Sequence, residues 1–247
     1  MSTPIKPHGR SAATSKWMIV QALTCVLVGG VLAFGAIRHR RAEPVRETEP
    51  DLGQQALAHL EQRNYRPLSE ALEVLVNDKS YKPLPTQVHP LLGQPAPDFT
   101  LPDTDGANRV LAEELKERPV VLVFYYGYAC DHCVSQLFAL NKDLEKFREL
   151  GATVWAISAD PPELTRKRFK QYGAFGYPVL SDPDHAVATR YATYLPNPMP
   201  GEDGDMMHGT FLINRSGRVI WTNRGDQPFT ENRTLLVELH RSLARVR

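Results

Sequence analysis

Five consecutive apolar residues, Val120-Val121-Leu122-Val123-Phe124, lead within a few positions to Cys130-Asp131-His132-Cys133. A helical period follows at Leu137, Leu140, Leu144 and Phe147, extending to about Leu150. An unbroken apolar run rich in β-branched residues is what a strand covered on both faces requires, so the following helix must pack on a sheet. Ala152 to Ile157 reads as a second such strand, ending at Ser158-Ala159-Asp160. Asp160-Pro161-Pro162-Glu163 places acid and proline where a helix start favours them, and that helix runs to about Gln171. Tyr177 to Leu180 is expected as a short strand, and Asp182-Pro183 opens another helix. Thr210 to Ile213, the turn Asn214-Arg215-Ser216-Gly217, and Arg218 to Thr222 read as a hairpin. Thr230 is expected to cap a last helix through Leu235, Leu236, Leu239 and Leu243. Crossovers first and a closing hairpin predict an α/β fold with a mixed central sheet and helices on both faces.

The 247 residues leave room for more than this domain. Residues 1–16 form an N-terminal tail. Residues 17–37, Trp17 to Ile37, carry no charge, and a helix of that length rises about 30 Å, the thickness of a hydrocarbon core. A core helix would keep one polar face, and this run has none. Arg38-His39-Arg40-Arg41 follows at once, which favours an uncleaved single-pass anchor over a cleaved signal peptide. Cys25, preceded by Ala22-Leu23-Thr24, sits in a poor lipidation context and reads as a buried apolar thiol. Lys6, Arg10 and Lys16 before the span nearly balance Arg38, Arg40, Arg41 and Arg46 after it, so charge does not set the orientation. Residues 38–90 read as a stalk, with two short helices around Arg66-Pro67 marked by Leu57 and Leu60 and by Leu68, Leu72 and Leu75. A single helical pair of this kind is expected as a solvated spacer, since solenoids need several repeats. The domain proper is placed at residues 91–247. A net charge of +1 argues against nucleic-acid binding through a basic face.

Three cysteines are too few for a disulfide scaffold or a four-cysteine zinc site. Cys130 and Cys133 are one helical turn apart, which brings both sulfurs to one side within disulfide reach. At a strand-to-helix junction, free backbone N–H groups and the helix dipole stabilise a thiolate. His132, if cationic, adds to that effect and Asp131 opposes it. Val134 excludes haem attachment, which needs His there, and a zinc site would need partners from His89, His185 or His208, none of which has paired metal spacing. The pair is therefore expected to cycle between dithiol and disulfide, with no cofactor.

The element order is that of the thioredoxin-like fold. Leu92-Gly93-Gln94-Pro95-Ala96-Pro97-Asp98-Phe99-Thr100-Leu101-Pro102-Asp103 resembles the opening of the peroxiredoxin-like AhpC/TSA proteins. Val123 to Cys133 resembles their active-site strand and loop, and Ser158-Ala159-Asp160, Val179 to Pro183 and Gly209 to Asn214 with Gly217 resemble later pieces. The resemblance places Cys133 at the peroxide-attacking position, Cys130 where Thr or Ser is usual, Tyr126 where proline is usual, and His208 where the activating Arg stands. It implies a thiol-disulfide oxidoreductase acting on a peroxide or a protein disulfide, renewed by a thiol reductant protein. The same resemblance makes an extracytoplasmic domain the expected topology. In thioredoxin-like reductases the first cysteine, Cys130, would attack and Cys133 resolve. The cis-proline such reductases carry before the Thr-Phe strand is replaced by His208-Gly209, and their buried acid by Phe124. TlpA/ResA-like reductases of apocytochrome disulfides are thus one alternative. Another is a copper chaperone similar to the SCO type, with Met206-Met207-His208 completing a soft Cu(I) site beside the two thiolates. The Pro- and Gly-rich loop Leu195 to Asp205 is expected near the site.

Overall fold

A computed structural model of the chain describes residues 51–128, 130–197, 199 and 204–244. Two helices come first, α1 (Leu52–Gln62) and α2 (Leu72–Asn77), followed by a small ladder of β1 (Thr100–Pro102) and β2 (Asn108–Val110). Helix α3 (Leu111–Glu117) leads into β3 (Val120–Phe124), α4 (Asp131–Lys142), α5 (Leu144–Glu149) and β4 (Thr153–Ser158). Next are α6 (Pro162–Tyr172), β5 (Val179–Ser181), α7 (Ala186–Arg190), β6 (Tyr194–Leu195) and β7 (Asp205–Met206). The hairpin β8 (His208–Ile213) and β9 (Val219–Gly225) precedes α8 (Asn232–Ala244). The central sheet has five strands in the order β5-β4-β3-β8-β9. β3, β4 and β5 run parallel, and β8 joins β3 antiparallel. This is the mixed sheet expected from the sequence.

Alternation along β3 divides the interior. Val121 and Val123 point to one face, with Leu137 and Leu140 of α4, Phe147 of α5, and Leu235, Leu236 and Leu239 of α8. Val120, Leu122 and Phe124 point to the other, with Leu111 and Leu115 of α3 and Val187 and Ala188 of α7. Every β3 side chain is fully buried, each contributing about 1.5–3 kcal/mol of apolar stabilisation. That two-sided burial explains why the run carries no polar residue.

The helix expected to continue to Leu150 is instead broken at Asp143, which ends α4 and begins α5. The cause lies far away in sequence. Buried Asp143 accepts hydrogen bonds from the Leu68 N–H at 2.8 Å, the Tyr65 hydroxyl at 2.7 Å and the Asn232 side-chain amide at 2.8 Å. The described part of the segment read as a solvated spacer is therefore packed onto the domain, and the described residues form one compact unit. Leu52, Ala56 and Leu60 of α1 are buried, and Ala56 joins the α4 side of the core. Farther along, Arg233 of α8 pairs with Asp78 at 2.6 Å and lies over the Tyr81 ring. The short helices were expected; their docking was not, because nothing local in the sequence names the surface that receives them.

The expected membrane span, residues 17–37, lies outside the described residues, as do the tail and the first part of the stalk. Among the described residues, no helix is long and apolar enough to cross a membrane.

Candidate active site

The chain leaves β3 through Tyr125, which is buried, and Tyr126, which is exposed. It then turns at Gly127, whose φ of +122° is rarely open to a side chain. A Cβ at Gly127 would also lie 2.8 Å from the Asp160 carboxylate. Asp160, just past the end of β4, accepts a hydrogen bond from the Tyr128 N–H at 2.7 Å, so it holds the loop that delivers the cysteines. Burial pushes the Asp160 carboxyl above its ordinary range, against the pull of that hydrogen bond.

Cys130 occupies the N-cap of α4 in an extended conformation, and its carbonyl accepts the first helical bond from the Val134 N–H at 3.2 Å. Cys133 sits in the first turn, fully buried, while Cys130 is half-buried. The two form a disulfide with Cα atoms 5.3 Å apart, as their spacing predicts. His132 Nδ1 lies 3.1 Å from Cys130 Sγ. The Asp131 carboxylate accepts from the His132 N–H at 2.8 Å and lies 3.1 Å from His59 Nε2 of α1. Burial alone would raise the Asp131 carboxyl; these two hydrogen bonds outweigh it and hold the group below its usual value.

His208, the first residue of β8, is buried, with its ring centroid 5.5 Å from that of His132 and 5.4 Å from that of Tyr126. Among the described residues, neither of its ring nitrogens has a hydrogen-bond partner. Gly209 beside it lets the strand approach closely, since a Cβ there would lie 2.3 Å from Thr193 Cγ2. The buried Gln136 of α4 donates to Thr210 Oγ1 at 2.8 Å, fixing the cysteine helix against the strand that carries His208.

Burial, and then the neighbouring His132 and Arg63, push His208 down from 6.5 to about 4. Between those values the unfolded chain binds a proton that the folded chain does not, so stability rises with pH. This contribution is complete above about pH 6.5 and is lost as pH falls toward 4. From pH 7 to pH 4.5 the loss through this residue is expected to reach about 2 kcal/mol. Urea unfolding of the wild type and of His208→Gln at both pH values checks it; an identical pH dependence in the two proteins would contradict the assignment.

The fold thus brings together all the residues expected at the site: Cys130, His132, Cys133 and His208. Of the other histidines considered as metal partners, His89 accepts from the Leu91 N–H at 3.1 Å, and His185 stacks on Tyr194 at 4.0 Å. Among the described residues, only Cys130, His132 and Cys133 form a close group of potential metal donors. Met206, considered above as part of a Cu(I) site, is buried in the core on the α3 side. Loop 195–205 is flanked by the two-residue ladder of β6 and β7, a pairing too short to leave a sequence signal. His59 and the anchoring role of Asp160 were not foreseen. His59 lies 72 positions from its partner, and only the apolar spacing of Leu52, Ala56 and Leu60 hints that its helix must dock.

A thioredoxin-like fold with two cysteines bonded at the N-terminus of the helix after β3 defines a thiol-dependent oxidoreductase. The AhpC/TSA family model matches residues 92–222, just over half of the chain, and the protein belongs to that family. A putative peroxiredoxin of Mycobacterium tuberculosis is 33% identical over 129 residues, spanning 52% of this chain and 81% of that protein. Peroxiredoxin Bcp of Escherichia coli is 32% identical over 129 residues, spanning 51% and 81% respectively. Among solved structures, peroxidoxin BcpB from Mycobacterium tuberculosis superimposes with a TM-score of 0.56 at 26% identity, covering 63% of this chain and 99% of that one. Xanthomonas campestris peroxiredoxin Q shares the fold, with a TM-score of 0.52 at 22% identity over 58% of this chain and 90% of that one.

Proposed function

We propose that Cys130 and Cys133 are the redox centre of a thiol peroxidase. The observation that carries this reading is their disulfide at the N-terminus of α4 in an AhpC/TSA fold. The Cys133 thiolate attacks one oxygen of the peroxide and breaks the O–O bond. Cys133 becomes a sulfenic acid, and the other oxygen leaves as an alkoxide or hydroxide that takes up a proton. Cys130 then attacks the sulfenic sulfur, forming the disulfide and expelling water. Two thiols of an external reductant restore the dithiol and leave as their own disulfide. Cys130 is the half-buried sulfur, so it is the one an incoming thiol reaches, with Cys133 as leaving group.

First-turn amides of α4 favour the thiolate. His132, in reach of Cys130 Sγ, adds a donor. His208 stands where the family's Arg is expected and stays neutral at physiological pH, so it offers hydrogen bonding without a full charge. In the test, dithiothreitol-dependent loss of hydrogen peroxide is followed with the full chain. The expected result is catalytic turnover; consumption no faster than by dithiothreitol alone, once the protein disulfide is shown to be reduced, would overturn the reading.

The uncharged run 17–37 supports a single-pass anchor, and the family resemblance alone favours a domain outside the cytoplasm. Recovery of the full chain in the soluble fraction after cell lysis would contradict it.

One feature favours a second reading, delivery of Cu(I) as cargo. The donor atoms of Cys130, His132 and Cys133 lie within 4.8 Å of one another, and nearby buried His208 has both ring nitrogens unpaired among the described residues. Two thiolates and an imidazole suit a soft cation. If the reduced chain failed to withdraw Cu(I) from a chromogenic chelator, this reading would fall.

A further inference from the structure

Helix α1 lies outside residues 92–222, yet it reaches the cysteine loop. Its apolar stripe of Leu52, Ala56 and Leu60 is buried, and Gly53 meets Tyr172 of α6 so closely that a Cβ there would lie 2.7 Å from Tyr172 Cβ. This docking leaves His59 facing the start of α4, with Nε2 3.1 Å from Asp131 Oδ2 and its ring 6.2 Å from that of His132. His59 and Asp131 are each about one-third exposed, at 34%.

Asp131 is a liability for thiolate chemistry. It follows Cys130 directly, its negative charge opposes a thiolate, and its carboxylate occupies the His132 N–H, one of the first-turn amides that would otherwise favour an anion. A donor on the outer carboxylate oxygen disperses that charge, more so if the donor is cationic. His59 is that donor. Among the described residues, titratable side chains near the pair include Cys130, His132, His208 beyond it, and Arg63 just past α1, close enough to act on His208.

We propose that His59 is a positioning residue of the redox centre: by pairing with Asp131 it offsets the carboxylate beside Cys130, making the segment ahead of the family's domain part of the site. The inference rests on the reading of Cys130 and Cys133 as a redox pair, and the test separates the two.

Thiol reactivity and redox equilibrium are measured on the full chain as wild type, His59→Ala, Asp131→Asn and the double variant. Alkylation by iodoacetamide at neutral pH reports thiolate content, and equilibration with glutathione buffers reports the stability of the disulfide. With His59→Ala, alkylation is expected to slow about three- to tenfold, and the dithiol–disulfide equilibrium to move toward disulfide by a similar factor, since the reduced thiolate loses support. Asp131→Asn moves both quantities the opposite way. Adding His59→Ala to Asp131→Asn should move them little further, because the charge that His59 offsets is gone. Equal effects of His59→Ala in both backgrounds, or none in either, would overturn the role of His59. Absence of any reversible couple in the wild type would overturn the redox-pair reading itself, and the role of His59 with it.

Discussion

Cys133→Ser is expected to lose rapid reaction with hydrogen peroxide, leaving the remaining thiols to react as unactivated cysteines do. Cys130→Ser should still consume one equivalent, but it should stop at a sulfenic acid that dimedone traps and peptide mapping places at residue 133. Both outcomes follow from the proposed roles, in which the family resemblance makes Cys133 the attacking cysteine and Cys130 the resolving one. Cys133 lies inside the first turn of α4, where amide N–H groups stabilise an anion, and Cys130, the N-cap, is within disulfide reach of it, with His132 Nδ1 3.1 Å from its Sγ. Serine at 130 removes the resolving sulfur without touching the turn that activates Cys133. The converse pattern, a trapped sulfenic acid at 130 and full reactivity in Cys133→Ser, would make Cys130 the nucleophile and shift the chemistry toward disulfide exchange.

The second large effect is on stability. Asp143→Ala should lower the thermal midpoint by about 6–12 °C, corresponding to about 3 kcal/mol. Alanine would strand the Leu68 N–H, take the carboxylate acceptor from the buried Asn232 amide, and leave the Tyr65 hydroxyl to donate to the Ala139 carbonyl, 3.0 Å away. Each stranded buried donor costs about 1–3 kcal/mol. Because two of the three donors lie at residues 65 and 68, the variant should also expose residues 63–71 to proteolysis before the rest of the domain opens. A midpoint within about 1 °C of the wild type, as for an ordinary surface change, would show that this carboxylate does not tie the preceding segment to the sheet.

What could be read from sequence, and what could not, divides by the range of the interactions. Val120 to Phe124 and Thr153 to Ser158 were legible because a strand covered on both faces leaves its signal in its own residues. The Cys130–Cys133 bond was legible because helical spacing fixes it locally. His208 was singled out from the other histidines as a redox-site residue through the family resemblance, which marked its place before the Thr210-Phe211 strand. The break at Asp143 was not legible: an aspartate in a helical period gives no warning that Tyr65, Leu68 and Asn232 converge on its carboxylate. The docking of α1 was hidden for the same reason, and with it the contact of His59 with Asp131. Amphipathic spacing says that a face must be covered; it does not say by what.

Mass spectrometry of the reduced full chain after one equivalent of hydrogen peroxide decides whether Cys130 and Cys133 form the redox pair of a thiol peroxidase. The expected result is rapid loss of two hydrogens with no oxygen retained, a single cross-linked peptide joining residues 130 and 133, and Cys25 still free. Retention of three free thiols, or oxygen added to one sulfur while the other stays free, would contradict it.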